Sequence, residues 1–434
     1  MQMAELPLAF TDYTRQLMRA ECFERYLRSF EEEIPVSIRL NPKKLAVGNS
    51  LFESVAMQSQ LAVSHEPVPW CRDGYYLKQR PNFTFDPLFH AGCYYVQEAA
   101  SMFLDEVLRQ LAVSQEPLPN SQKPIAKSQK LTALDMCAAP GGKSTLLRAA
   151  LPETTVLYSN EPVRQRASIL LENVTKWGYP NHIVTNAYPR DYRKAKMRFD
   201  LILCDVPCSG EGMFRKDPAT IREWSPQNVE KCWQLQREIV SDAWACLNEG
   251  SILIYSTCTF NTKENEENVR WMLSEFDDAE VVPVAVKPEW NITGSLLEGF
   301  TEPVYRFIPG ITRSEGLFLC VLRKANHGDC PRSEKRSGLQ KDSPHDLHPL
   351  QADILDGHFP QVELSYQDSM KFLRGEALTL PDDTPRGEVT VAFMGHPLGQ
   401  VKNIGTRANN LYPKPWRIKT THIPNDYETI LRHT

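Results

Sequence analysis

The sequence lacks most of the features that would place a chain in a membrane, in an oxidising compartment or on nucleic acid by bulk charge. No run of about 18 apolar residues occurs, so no membrane-spanning helix is expected. The first residues, Met1 to Arg19, carry Glu5, Asp12 and Arg15 too early for a secretory apolar segment. Basic residues are not in excess: 49 Lys and Arg stand against 54 Asp and Glu, a formal net charge of -5. Any RNA affinity must therefore come from local patches. The eleven cysteines do not form a disulfide pattern, since Cys204, Cys246 and Cys320 lie in or beside strand-like apolar runs. A reducing cytoplasm is the expected compartment. There are no internal repeats. A dinucleotide glycine fingerprint is missing, which removes the NAD-dependent oxidoreductases. Gly141-Gly142-Lys143-Ser144-Thr145 ends like a phosphate loop, but the glycine required five positions before Gly142 is Cys137. Cys204 and Cys208 have a ligand-like gap without a His-Cys partner pair close by, so no metal is expected.

What is present is a repeating order of strand, turn and helix from Leu131 onward. Leu131 to Met136, Thr155 to Ser159, His182 to Asn186, Phe199 to Cys204 and Ser251 to Ser256 read as strands one to five. Helical patterns separate several of them, and Gly316 to Leu322 reads as a late strand. This alternation predicts a doubly wound, Rossmann-like α/β sheet over residues 131–324. Residues 1–111 read as a small N-terminal α/β domain. Its first helix, Phe10 to Phe30, shows Tyr13, Leu17, Phe23, Tyr26 and Leu27 as the apolar face. Residues 112–130 and 325–346 are polar and aperiodic, as linkers are. Residues 347–434 read as a small β-rich domain. Two stretches interleave cations with aromatics: Trp70 to Tyr95, with Arg72, Lys78 and Arg80, and the cluster Lys402, Arg407, Tyr412, Lys414, Trp416, Arg417 and Lys419. Each is either an RNA surface built on stacking and phosphate contact or a core edge with solvated charges. Oligomeric state is not legible, and a monomer is the default.

Three loops carry the chemistry. Leu134-Asp-Met-Cys-Ala-Ala-Pro-Gly-Gly-Lys143, Asp205-Val-Pro-Cys-Ser-Gly210 and Ser256-Thr-Cys-Thr259 each follow a strand-like run, at the sheet edge where ligands of such folds bind. The first can bring backbone amides at a helix start to a carboxylate. Glu161, at the end of strand two, can grip ribose hydroxyls. Together they suggest an adenosyl ligand such as S-adenosylmethionine, although a turn without a ligand would look the same. Strands four and five are neighbours in the common order 3-2-1-4-5. Cys208 and Cys258 would then meet beside that loop, because adjacent strands lie roughly 4.8 Å apart. A lone cysteine is more often an inert small hydrophobe than a nucleophile, but two at one rim favour function.

These motifs resemble those of the Sun-domain family of RNA cytosine carbon-5 methyltransferases. Asp205-Val-Pro-Cys-Ser-Gly resembles the family's Asp-Ala-Pro-Cys-Ser-Gly motif, and Ser256-Thr-Cys-Thr its second cysteine motif. Tyr94-Tyr-Val-Gln-Glu-Ala-Ala-Ser-Met102 resembles the helix that precedes its linker. The tail Tyr412-Pro-Lys-Pro-Trp-Arg417 resembles the end of the C-terminal RNA-binding, PUA-like domain of bacterial 16S ribosomal RNA methyltransferases of the RsmF type. The resemblance implies that Cys137, Ala138, Ala139, Pro140, Gly141, Gly142 and Lys143 wrap the methionine end of S-adenosylmethionine. It implies that Glu161 takes the ribose and that Arg166, Asn186, Asp205 and Pro207 complete the site. It further implies Cys258 as nucleophile, Cys208 as the residue that helps release product, and Asp205 between cofactor and base. Val206 replaces the usual Ala. Ala187 stands where relatives often have an acid, which leaves Asn186 as the candidate adenine contact. Cys208 is the rival nucleophile, because DNA cytosine methyltransferases attack with the Cys of a Pro-Cys pair. Small-subunit ribosomal RNA is the expected substrate. Transfer RNA, or a non-catalytic role in ribosome assembly, stands as the alternative.

Overall fold

The apolar runs between residues 132 and 324 form an eight-stranded sheet. In chain order its strands are β1 Thr132–Asp135, β2 Val156–Asn160, β3 His182–Thr185, β4 Phe199–Asp205, β5 Leu247–Thr257, β6 Ala279–Val281, β7 Tyr305–Phe307 and β8 Leu317–Lys324. The computed structural model describes residues 6–45, 61–111, 131–326, 359–420, 422–425 and 427–432. The expected linker 112–130, and all but the first two residues of 325–346, lie outside the described residues.

The spatial order is β6-β8-β5-β4-β1-β2-β3, with β7 on the flank of β8. Strands β1 to β5 run parallel, in the order 3-2-1-4-5 that the alternation predicts. Strand β8 closes onto β5 antiparallel, and β6 and β7 pair antiparallel with it. Most of β4 and β5 is fully buried, as expected of parallel strands covered on both faces. The helices of this unit that alternate with the strands are Gly142–Ala150, Pro189–Lys194, Pro226–Ala245 and Glu266–Glu275, and the helix Arg164–Trp177 follows β2. The 226–245 helix starts where Ser225 caps the Asn228 amide and Pro226 needs no donor. Its Val240, Ala243 and Trp244 pack into the core with Phe199, Ile202, Leu253 and Tyr255. The register sets Asp205 of β4 opposite Ser256 of β5. The two loops that follow therefore leave the sheet side by side. Among the described residues no helix is long and apolar enough to cross a membrane.

The first helix, Leu8–Arg28, has a break at Arg19 (φ 60°, ψ 164°). One helical period cannot run through such a break. The structure buries Phe10, Thr14 and Met18 before it and Phe23 and Tyr26 after it, whereas the expected Tyr13 is 38% exposed. These side chains meet Phe214, Ile221, Trp224 and Phe260, about two hundred residues later.

The chain divides into two compact units that are discontinuous in sequence. The first comprises Met1–Pro35, Glu98–Ala167 and Asn181–Lys341, and contains the eight-stranded sheet. The second comprises Val36–Gln97, Ser168–Pro180 and Asp342–Thr434. This grouping differs from the contiguous division 1–111, 131–324 and 347–434 expected from the sequence. In the second unit, strands Val36–Leu40, His65–Pro67, Gly74–Leu77 and Tyr94–Val96 form one antiparallel sheet. Strands Gln361–Glu363, Gly387–Phe393, His396–Asn403 and Ala408–Asn410 form another. One hydrophobic core joins Ile38, Tyr75 and Phe83 to Phe372, Val389 and Leu398.

Burial separates the rings of the two aromatic stretches from their cations. Trp70, Tyr75, Tyr76, Phe83 and Tyr94 are buried, as is Tyr412, so these rings are core. The cations Lys78, Arg80, Lys402, Arg407, Lys414 and Lys419 remain exposed, and Trp416 is half-buried.

Candidate active site

The loop after β1 turns at Gly141, whose φ of 117° lies in the left-handed region that favours glycine, and enters the helix Gly142–Ala150. The Ala138 amide donates to the Asn160 carbonyl of β2 at 2.8 Å, and the Thr145 hydroxyl and amide return to the Gly141 carbonyl. The loop is thus fixed with the helix amides at its head, an arrangement suited to an anion. Ala138 and Ala139 are nearly buried. Burial pushes the half-buried Cys137 thiol well up, with Cys204 and Asp135 adding to the effect, so this cysteine is a poor nucleophile. Behind the loop, burial pushes Asp135 up to about 7 while the Ser144 hydroxyl hydrogen-bonds it.

Glu161 follows β2 and is 1% exposed. Its Oε1 accepts from the Val163 amide at 2.9 Å, whereas its Oε2 has no hydrogen-bond partner. Arg166 Nη1 lies 3.3 Å from that Oε2, and Arg166 Nη2 donates to the Ala139 carbonyl at 3.0 Å, which ties the acid to the first loop. A buried carboxylate oxygen without a donor is costly, and a ribose hydroxyl would satisfy it. Asn186 spends both amide protons on the carbonyls of Glu161 and Pro162, at 2.7 and 2.9 Å. Its own carbonyl oxygen is left as an acceptor.

Asp205 ends β4. Its Oδ2 accepts from Lys143 Nζ at 2.9 Å and its Oδ1 from the Ser256 hydroxyl at 2.7 Å. Burial alone would lower the Lys143 ammonium, but Asp205, then Cys258 and Asp135, outweigh it and raise the pKa. The first loop, β4 and β5 therefore share one charge cluster.

The two cysteines meet beside it. Cys208 Sγ and Cys258 Sγ are 3.1 Å apart, and the Cys258 amide donates to Cys208 Sγ at 3.3 Å. Both are partly exposed. The contact with Cys258, followed by burial, pushes the Cys208 thiol well above its ordinary value. Pro207 is exposed and turns its carbonyl to Gln236 Nε2 at 2.9 Å. Cys204, one turn of strand earlier, is sealed in β4 and does not reach the rim.

Two buried acids that sequence reasoning missed hold these loops. Glu211 accepts from the Phe260 and Asn261 amides, the Asn261 side chain and Trp224 Nε1, at 2.7–3.0 Å. Glu264 accepts from the Ser209 amide, Gln236 and Asn261, at 3.0, 2.7 and 2.8 Å. Gly212 donates its amide to the Cys258 carbonyl at 2.7 Å. The available signal was an acid close behind each cysteine motif, three residues after Cys208 and six after Cys258. Among the described residues no group of three or more His, Cys, Asp or Glu could hold a metal ion.

Known proteins resemble this chain over most of its length. Residues 124–323 match the family described as 16S rRNA methyltransferase RsmB/F. Residues 6–99 match the N-terminal domain of 16S rRNA methyltransferase RsmF, and residues 359–418 the methyltransferase RsmF PUA domain. The ribosomal RNA small subunit methyltransferase F of Cronobacter sakazakii is 28% identical, over 94% of this chain and 96% of its own. The protein of that name from Serratia proteamaculans is 31% identical, over 86% of this chain and 70% of its own. A solved methyltransferase homologue from Pyrococcus horikoshii superposes with a TM-score of 0.58 at 26% identity, covering 73% of this chain and 94% of that one.

Proposed function

This chain belongs to the 16S rRNA methyltransferases of the RsmF type, and from that premise we propose that it methylates carbon 5 of a cytosine in small-subunit ribosomal RNA through a covalent bond to Cys258. The observation that carries the reading is the 3.1 Å approach of two thiols from different loops beside the Lys143–Asp205 pair. One thiol alone could be packing, but two partly exposed thiols sharing a charged rim suit a reaction that adds and then removes a nucleophile.

The residues also suit S-adenosylmethionine as methyl donor. Glu161 Oε2 would accept from the ribose, the Asn186 carbonyl oxygen from the adenine amino group, and the amides around Gly141 to Lys143 would meet the amino-acid carboxylate. When bound, it supplies an electrophilic methyl group on a sulfonium.

Cytosine carbon 5 is a weak nucleophile. In this reading the Cys258 thiolate forms a bond to carbon 6, and the displaced electron pair makes carbon 5 nucleophilic. The Lys143 ammonium lies near enough to interact with Cys258. Asp205, fixed by Lys143 and Ser256, is assigned to sharing a proton with ring nitrogen 3, which neutralises the negative charge that addition of the thiolate puts on the base. Once carbon 5 carries the methyl group, Cys208, having released its own proton to water, accepts the carbon 5 proton as a thiolate or through water. The electron pair of the broken C–H bond restores the ring double bond, and the carbon 6–sulfur bond breaks to return the Cys258 thiolate. The target base must be unpaired or flipped out of its stack to reach the rim.

Substitution tests the assignment. Cys208→Ala is expected to accumulate a covalent protein–RNA adduct, and Cys258→Ala to form none. The opposite pattern would move the nucleophile to Cys208. Bisulfite sequencing of ribosomal RNA from a deletion strain would name the cytosine, and an unchanged 5-methylcytosine pattern would remove the substrate proposal.

A further inference from the structure

Glu264 is buried, follows β5 by seven residues, and is not part of the reaction described above. Its Oε2 accepts from the Ser209 amide and from Gln236 Nε2, and the same Gln236 nitrogen donates to the Pro207 carbonyl. Both residues that flank Cys208 are thus tied to this one carboxylate. Its Oε1 accepts from Asn261 Nδ2, which also donates to Thr259 Oγ1 at 3.1 Å. Thr259 is the residue after Cys258, and its hydroxyl meets Ser209 Oγ at 2.9 Å. The carboxylate therefore sits at the junction of the two cysteine loops. It has three hydrogen bonds, and no Lys, Arg or His pairs with it among the described residues. The groups that face it are Ser209, Gln236, Asn261, the acid Glu211, the thiols Cys208 and Cys232, and Tyr255. The cation of the site, Lys143, pairs with Asp205 and interacts with Cys258.

We propose that Glu264 is a positioning residue that makes the two cysteines unequal: it fixes the Cys208 loop and sets a negative charge on the Cys208 side of the sulfur pair. Of the two thiols Cys208 then keeps its proton more firmly and can donate it across the 3.1 Å contact; it must release that proton to water before it can accept one from carbon 5. The contact with Cys258 and burial raise the Cys208 thiol most, and Glu264 adds to them, against the opposing donation of the Cys258 amide at 3.3 Å. The inference rests on Cys258 being the nucleophile, and it explains how a symmetrical pair of thiols acquires separate duties.

The test is alkylation of the full-length protein by iodoacetamide, without RNA or methyl donor, with each cysteine followed by peptide mass spectrometry from pH 6 to 9. In the wild type, Cys258 should label before Cys208. In Glu264→Gln, Cys208 labelling near pH 7.5 should rise by about tenfold, the thiolate gain of one pKa unit. Glu264→Asp, which keeps the charge, should leave Cys208 slow. Near-UV circular dichroism verifies that each variant is folded. If folded Glu264→Gln labels Cys208 at the wild-type rate, the proposal fails. Should Glu264→Gln not fold, Glu264→Asp decides, because fast Cys208 labelling there would also overturn it. The adduct experiment above is independent: its failure would remove Cys258 as nucleophile, whereas failure of the labelling would remove only the part given to Glu264.

Discussion

Gly212→Ala offers a test of loop geometry without touching any group that reacts. Gly212 follows Glu211 and gives its amide to the Cys258 carbonyl. A Cβ at this position would stand 2.6 Å from that same carbonyl oxygen and 3.2 Å from the Gly316 Cα. Both obstacles are backbone, so neither can rotate away, and the Cys258 loop itself must shift by several tenths of an ångström or more. Forcing one methyl group into a packed site costs about 1–3 kcal/mol. Displacement of a reacting group by about 1 Å can cost roughly 10²-fold in rate. We therefore expect a denaturant midpoint lowered in proportion to that free energy. We also expect single-turnover methyl transfer, at saturating methyl donor and RNA, slowed by about 10–10²-fold with RNA affinity unchanged. Retention of the wild-type rate within a factor of three in a folded Gly212→Ala protein would show that the position of Cys258 is not set by this contact, and would refute the reasoning.

Further outcomes follow from the same geometry. Lys143→Met removes a charged hydrogen-bond donor that is 16% exposed from a carboxylate that is 30% exposed. Loss of such a bond costs about 1.5–3 kcal/mol, so the single-turnover rate should fall by about 10–10²-fold at saturating methyl donor, and an undiminished rate would leave the pair a structural role only. Glu161→Gln should weaken S-adenosylmethionine binding by about tenfold and Asn186→Ala by about fivefold in isothermal titration, each through loss of about one hydrogen bond; unchanged affinity in both would displace the ligand from this pocket. Burial raises the Glu264 carboxyl from 4.5 to about 7. A raised carboxylate contributes stability that is fully present below its unfolded value and lost as pH rises through its folded one. The stability of the wild type relative to Glu264→Gln should therefore fall between about pH 4.5 and 7 and then level off; a flat difference across that range, measured by urea unfolding, would contradict burial of the ionisable carboxyl.

The strand order and the two cysteine loops were legible because they follow from local signals: apolar runs of strand length, alternation with helices, and turn residues at the strand ends. Adjacency of strands four and five then sufficed to bring Cys208 to Cys258. The first helix was less legible, because the break at Arg19 resets the phase and no residue type there announces it. Tyr75, Phe83 and Tyr94 looked equally like a stacking surface, and only the shared core with Phe372 and Val389 shows these rings to be interior. Glu211 and Glu264 were overlooked for a related reason. A buried acid is tolerable only with donors, and its donors come from Trp224, Gln236 and Asn261, whose approach is set by tertiary structure. Lys143 and Asp205, 62 positions apart, are paired by the neighbouring positions of β1 and β4, while Ser256 reaches the same carboxylate from β5.

The second unit has a consequence for how the chain is made. Leu61 bridges Leu431, the Ala62 amide donates to the Ile430 carbonyl, and Asp86 accepts the Ile430 amide as well as the Tyr94 hydroxyl. A segment that leaves the ribosome early thus waits for residues synthesised more than three hundred positions later before its polar groups are satisfied. A nick or bulky fusion near Ile430 would therefore be felt at Leu61, Ala62 and Asp86.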